Sequence, residues 1–124
     1  MSDKKTKKAS FALSEEHAKK QIEEAKHMVD KAKYLLESYL CGETQLKFKD
    51  QAVPLIAEHM TNTNTYANMM DQLLLSDNRI TNKKTGKETI VVDSKDFELV
   101  MAYLTITASC ENELESLGIS MRTH

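Results

Sequence analysis

The chain contains few of the residues that interrupt helices and few of those that cross-link proteins. Among its 124 residues are three glycines, one proline, no tryptophan and two cysteines. Such a composition, rich in Ala, Leu, Glu, Lys and Met, favours helices. Cys41 and Cys110 form neither a metal-binding spacing nor a redox pair, so we interpret both as reduced thiols. The length predicts one domain that needs no disulfide and no metal to hold it together.

Long apolar runs, a large net charge and catalytic motifs are also missing. No apolar run approaches the roughly 18 residues of a membrane span, and no signal-peptide core follows the first lysines. We therefore expect a soluble, cytoplasmic protein with no membrane partner. The formal net charge of −2 gives no whole-molecule field that favours nucleic acid. No Gly-rich phosphate loop, G-x-S-x-G or H-E-x-x-H occurs, so we expect neither an enzyme nor a cofactor.

Apolar residues recur with helical spacing in three segments. The predicted helices run from about Ser14 to Leu40, from Asp50 to Leu75 and from Ser94 to about Leu117. The predicted N-caps are Ser14, Asp50 and either Asp93 or Ser94, because such side chains accept hydrogen bonds from the first turn. A start at Asp50 puts Pro54 in the first turn, where its missing N–H is not needed. Gly42 and Gly118 follow the first and third helices and suit the left-handed residue that closes a helix.

Two β-type runs, at residues 79–82 and 88–92, lie between the second and third helices and flank a loop that contains Gly86. This pattern predicts a β-hairpin. The predicted fold is all-α: a three-helix bundle with a small β-hairpin, at about 79–92, inserted between helices 2 and 3. Residues 13–118 form the predicted domain, 1–12 a flexible basic arm and 119–124 a C-terminal tail.

The second and third helices have more apolar surface near the hairpin than a single core face explains. At about 100° per residue, the main face of the second helix comprises Val53, Ile56, Ala57, Met60, Ala67, Leu74 and Leu75. The main face of the third comprises Leu99, Tyr103, Ile106, Cys110, Leu114 and Leu117. Additional apolar residues that lie off these faces next to the hairpin are Tyr66, Met69, Leu73, Phe97, Met101 and Leu104.

These six additional residues need cover, from the hairpin or from another chain. Left bare, they would form an apolar patch of the size that marks binding sites. We expect a homodimer or higher assembly through the hairpin end, against the alternative of a monomer capped by its own hairpin. The leading functional hypothesis is a small non-enzymatic protein that binds a protein partner as an adaptor, chaperone or inhibitor.

Lysine clusters give the alternative hypothesis, a nucleic-acid-associated module. The basic residues of the arm and hairpin are Lys4, Lys5, Lys7, Lys8, Arg79, Lys83, Lys84 and Lys87. They could straddle a phosphate backbone and bind it in a salt-dependent way. The competing interpretation is that these lysines keep a terminus and a loop soluble. No aromatic residue is interleaved with them, so base stacking is not predicted.

The histidines offer one metal-like spacing, Glu24 and His27 in an E-x-x-H pattern. Di-iron bundles use this i,i+3 pair to direct two ligands into a core. Here His27 lies about 180° from the apolar stripe of its helix, so we expect it to face water and predict no metal. His59, next to Glu58, is interpreted as part of a surface pair.

Overall fold

Three helices and a small antiparallel sheet make up the structure, a computed structural model that describes residues 10–121. The elements are β1 (Ser10–Ser14), α1 (Glu15–Leu40), α2 (Lys49–Leu74), β2 (Arg79–Thr81), β3 (Glu88–Asp93) and α3 (Ser94–Ser116). The predicted fold class is confirmed, with the β2–β3 hairpin between the second and third helices. Gly86 has a φ of 75° in the hairpin loop, a conformation that glycine adopts without steric cost.

Two of the three predicted N-caps are confirmed. The Ser14 side chain accepts a hydrogen bond from the His17 N–H at 3.3 Å, and the Asp93 carboxylate accepts one from the Asp96 N–H at 2.9 Å. Gly42 has a φ of 80° just beyond α1, as predicted for a helix end.

The predicted N-cap of α2, Asp50, is wrong. The Phe48 carbonyl accepts the N–H groups of Gln51 and Ala52, at 2.9 and 2.8 Å, and so starts the helix at Lys49. Phe48 has a φ of 55° and makes no side-chain cap. Pro54 therefore lies in the second turn rather than the first.

The sheet contains a third strand that was not predicted, β1. It pairs antiparallel with β3, and the strand order is β1-β3-β2. The prediction that residues 10–12 belong to a flexible arm is therefore wrong. Phe11 and Leu13 alternate with small residues, and the Phe11 ring stacks on the Phe97 ring with centroids 3.9 Å apart. The apolar face of β1 packs on α3. These residues therefore form a strand, although the lysines before them indicated a flexible arm.

Two apolar clusters lie at opposite ends of the bundle. The cluster under the sheet comprises Ala18, Ile22, Ala25, Tyr66, Ala67, Met70 and Val100. The cluster at the other end comprises Ala32, Ile56, Leu114 and Met121. The buried polar side chains His59 and Thr63 lie on α2 between the cluster members Ile56 and Tyr66.

The predicted surface position of His59 is wrong, because the side chain is fully buried. Its Nδ1 lies 3.4 Å from Thr63 Oγ1, and its Nε2 lies 3.7 Å from Glu111 Oε1. Helical periodicity marked only the apolar positions and so could not detect a buried polar contact between two helices.

The predicted main faces of α2 and α3 are rotated relative to the observed ones. Leu75, Leu99 and Ile106 were predicted to be core residues, yet they are 74%, 52% and 41% exposed. Leu75 lies beyond the end of its helix. On α3 the inward positions are instead Val100, Thr107, Cys110 and Leu114. Because Thr107 is one of these inward positions, counting only apolar residues placed this face incorrectly.

The predicted C-terminal tail is wrong for the residues that the structure describes. Met121 is 2% exposed and packs with Ala32, Ile56 and Leu114, while Ile119 is partly buried against the same cluster. The chain turns back at Gly118, where Ile119 donates its N–H to the Leu114 carbonyl at 2.9 Å. This turn brings Met121 back against the apolar cluster at this end of the bundle.

Candidate functional site

An apolar cavity of about 290 Å³ lies under the sheet between α1 and α3, and we call it the sheet-end cleft. Its lining residues are Leu13, His17, Gln21, Tyr66, Met70, Leu73, Val92, Phe97, Val100, Met101 and Leu104. A few polar groups in a mostly apolar lining are typical of binding sites. The volume is close to the lower limit of about 300 Å³ for ligand pockets.

The cleft exists because two helices flank a third without meeting each other. Both α1 and α3 pack on α2, but no Cα atom of α1 lies within 8 Å of a Cα atom of α3. Tyr66 and Met70 of α2 lie at the base of the gap. Leu13 of β1 and Val92 of β3 border it at the sheet. The unpredicted strand therefore forms part of the cleft wall.

Five of the six additional apolar residues predicted from the sequence line this one cleft: Tyr66, Leu73, Phe97, Met101 and Leu104. The sixth, Met69, lines a separate cavity of about 420 Å³ together with Gln72, Asp96 and Leu99. The predicted need for cover is met in part by β1 rather than by the hairpin alone.

The accessible apolar surface of the cleft lies at its mouth. Tyr66 is only 5% exposed, whereas Met101 is 39% exposed and Phe11, which stacks on the lining residue Phe97, is 38% exposed. The base is therefore largely buried, while the mouth presents a methionine and an aromatic ring. A thioether side chain adapts its shape easily, which suits a contact surface.

A hydrogen bond joins two polar side chains that line the cleft. The Tyr66 hydroxyl donates a hydrogen bond to Gln21 Oε1 at 3.2 Å. Burial, and then the nearby Glu24 carboxylate, raise the pKa of the Tyr66 hydroxyl. It therefore stays protonated at neutral pH and cannot serve as a base there. The cleft offers hydrogen bonds and apolar contact rather than a nucleophile with an adjacent base.

One of the hairpin cations, Arg79, is held by contacts within the protein. Arg79 donates to Glu15 at 2.6 Å and to Glu88 at 3.0 Å, and it also donates to the carbonyls of Leu74 and Ser76. These contacts join β2 to the start of α1 and the end of α2. The carboxylates raise the pKa of the Arg79 guanidinium, through the Glu15 hydrogen bond first.

Two further predicted phosphate contacts, Lys83 and Lys84, are exposed at the loop tip, whereas Lys87 lies 3.6 Å from Glu16. The four arm lysines, Lys4, Lys5, Lys7 and Lys8, lie outside the described residues. Carboxylates thus alternate with cations near the hairpin, which is a poor match for a uniformly negative phosphate backbone.

The remaining candidate groups for chemistry are the Cys110 thiol and the Glu24–His27 pair. The Cys110 thiol donates to the Leu55 carbonyl at 3.3 Å, and burial followed by nearby glutamates raises its pKa to about 11. Glu24 and His27 are both exposed on α1. Among residues 10–121, no group of three or more His, Cys, Asp or Glu side chains is arranged to hold a metal ion.

A larger cavity, of about 790 Å³, lies at the connection between α1 and α2. Thr44, Gln45, Lys49, Asp50 and Gln51 contribute to its mostly polar lining. Polar loop surface of this kind gives a ligand little apolar area to bury. Within the described part of the chain, no helix has the length and apolar character needed to cross a membrane.

Comparison with known proteins gives no guide to function. The chain matches no protein-family model, no curated protein and no solved structure.

Proposed function

We propose that this chain is a non-enzymatic protein that binds protein partners, a second copy of itself included, through the sheet-end cleft. The observation that carries the proposal is the gathering of Tyr66, Leu73, Phe97, Met101 and Leu104 around one apolar cavity. A cavity of about 290 Å³ suits one or two apolar side chains of a partner better than a large substrate. The roles that we propose for such a site are those of an adaptor, a chaperone or an inhibitor of a protein partner.

Protein binding also fits the way apolar and polar groups are distributed. Interface energy concentrates in a few apolar and aromatic anchors that enter well-packed pockets. Phe11, Phe97 and Met101 offer such a contact at the mouth, while Gln21 and His17 supply a polar rim. Both cysteines are free, and we propose a reducing, cytoplasmic setting for the protein.

The proposal is tested by capturing partners with the tagged protein and with two matched variants. Met101→Glu puts a charge at the mouth of the cleft. Ile106→Glu puts the same charge on the same helix at a side chain of similar exposure, 41% against 39%, outside the cleft lining. We expect Met101→Glu to lose the partner proteins by roughly tenfold or more, since burying an unpaired charge is costly, and Ile106→Glu to retain them.

The same experiment separates proteins from nucleic acid. The lysates are divided and one half is treated with nuclease, and Lys83→Ala with Lys84→Ala serves as a third variant. Protein partners that survive nuclease and the lysine variant but not Met101→Glu support the proposal. Partners lost with nuclease or with the lysines, and kept by Met101→Glu, would instead support the nucleic-acid hypothesis.

A further inference from the structure

The end of the chain shows how an irregular segment packs against all three helices. Met121 is 2% exposed and packs with one residue from each helix: Ala32, Ile56 and Leu114. It belongs to residues 119–121, which are neither helical nor part of the sheet. Ile119 is partly buried against the same cluster, whereas Ser120 is exposed. This alternation is that of an extended backbone, so an extended segment anchored by a methionine covers this end of the bundle.

The sheet-end cleft is a second apolar space that the same three helices border. Gln21 of α1, Tyr66 of α2 and Met101 of α3 line its volume of about 290 Å³. Among the described residues that line it, none carries a carboxylate, an ammonium or a guanidinium group. An uncharged side chain such as that of methionine or leucine therefore suits this cleft, since a buried charge without a partner is costly.

The Gln21 side chain determines which hydrogen-bonding group a partner must supply. Its Oε1 accepts the Tyr66 hydroxyl at 3.2 Å, so the amide has its N–H groups left to donate. A partner that enters beside Gln21 therefore needs an acceptor, such as a backbone carbonyl. In a helix all but the last four carbonyls already accept an N–H of the same helix. An extended segment keeps its carbonyls available.

The charge next to the cleft favours a basic residue in the partner. Glu24 follows Gln21 by three residues on α1, so the two side chains are neighbours on one face. Burial, and then the Glu24 carboxylate, raise the pKa of Tyr66, which places this carboxylate close to the cleft. Glu24 is exposed, and the ion pairs formed within residues 10–121 do not include it. It therefore attracts a partner's cation and repels an anion.

From these observations we infer that a protein partner binds the sheet-end cleft with an extended segment, in which an apolar side chain enters the cavity and the next residue is basic. A backbone carbonyl of this segment accepts from the Gln21 amide, and the basic side chain faces Glu24. The inference rests on the proposed function and adds the conformation and the chemistry of the partner.

Methyl NMR of the full chain, labelled at its methionine methyl groups, tests the inference with synthetic peptides. Met70 and Met101 line the cleft, whereas Met121 belongs to the far cluster and is the internal control. The probe is the acetylated and amidated peptide Ser-Gly-Met-Arg-Gly-Ser. We expect saturable shifts of the Met70 and Met101 signals, with a Kd on the order of 1 mM for a single apolar anchor. The Met121 signal should not move, and a peptide with serine in place of methionine should shift none of the three.

The basic residue is tested by a second peptide with glutamate in place of arginine, at low salt, where charges are screened least. We expect this peptide to bind about threefold to fivefold more weakly, the effect of one exposed ion pair. Glu24→Gln should remove the difference. Glu23→Gln should keep it, because Glu23 is also exposed but lies about 100° away around α1. Equal binding of the two peptides to the unsubstituted chain would overturn the basic residue.

The hydrogen bond and the conformation are tested by one variant and one further peptide. Gln21→Glu keeps an oxygen for the Tyr66 hydroxyl but has no N–H to donate, so it should bind Ser-Gly-Met-Ser-Gly-Ser roughly fivefold to tenfold more weakly. Gln51→Glu, outside the cleft lining, should bind this peptide normally. An alanine-based peptide of roughly 18 residues is helical in water and carries the Met-Arg pair at its centre. Tighter binding of this helical peptide than of the short one would overturn the extended conformation.

The outcomes separate this inference from the proposed function. If no short peptide shifts the Met70 and Met101 signals, although the Met101→Glu capture still loses protein partners, binding through the cleft stands and the extended segment is overturned. If the peptides bind as expected while Met101→Glu retains every partner, the proposed function is overturned and the chemistry of the cleft stands.

Discussion

Removing the Phe11 ring tests whether β1 is docked on the helices. The ring is 38% exposed and stacks on Phe97, so roughly three-fifths of it is buried. Full burial of a phenylalanine contributes about 1.5–3 kcal/mol, which gives about 1–2 kcal/mol here. The stacked pair adds about 0.5–1.5 kcal/mol. We therefore expect Phe11→Ala to lower the free energy of unfolding by about 2–3 kcal/mol and the Tm by roughly 6–12 °C.

Urea unfolding followed by circular dichroism measures this change, and Phe48→Ala is the matched control. Phe48 is 62% exposed, so by the same area scaling its loss should cost about 1 kcal/mol or less. A Phe11→Ala effect no larger than that of Phe48→Ala would show that β1 does not cover the cleft.

Three further results are expected from the core, the buried thiol and the β2 contacts. Ile56→Ala, at a fully buried side chain, should cost about 2–5 kcal/mol in urea unfolding, and a cost below about 1 kcal/mol would contradict the core assignment. With the pKa of Cys110 raised to about 11, iodoacetamide at pH 8 should label only Cys41 in the folded protein and both thiols in urea, as read by mass spectrometry. The Arg79 hydrogen bond lowers the pKa of Glu88, so its stabilising effect is present above the unfolded pKa near 4.3 and lost as the pH falls through the lower folded pKa. Glu88→Gln should flatten the acid limb of the stability profile, and an unchanged limb would argue against that contact.

The helices could be predicted because their signals are local. Ser14 and Asp93 cap helices through their own side chains, and Gly42 ends a helix through its φ. Each depends on a few neighbouring residues and on chemistry that a sequence displays directly. The prediction of Asp50 was wrong for the same local reason, since the Phe48 carbonyl starts the helix two residues earlier without any side-chain cap.

The strand β1 was missed because five residues carry a weak signal. Phe11 and Leu13 are its only large apolar residues, they are separated by Ala12, and they adjoin a run of lysines. That alternation just before the Ser14 cap is nevertheless typical of a strand. The alternation identifies a strand only when its pairing with β3 is also known. That pairing is a long-range contact, which a local sequence pattern does not contain.

The candidate site could be predicted in part. Counting apolar residues at about 100° per residue located an excess on α2 and α3 near the hairpin, and five of the six residues line one cleft. The count did not identify the cleft-lining residues that belong to other elements, such as Leu13 and Gln21. Buried polar contacts such as that of His59 with Glu111 lie outside any count of apolar positions.

The most direct test of the central claim is photo-crosslinking at the mouth of the cleft in cells of the protein's own source. A photoreactive amino acid replaces Met101 in one variant and Ile106 in the other, two α3 side chains of similar exposure. If the cleft binds a protein, irradiation should give a discrete cross-linked protein from the Met101 position and none from the Ile106 position. Equal cross-linking from both positions, or none from Met101, would contradict the proposal.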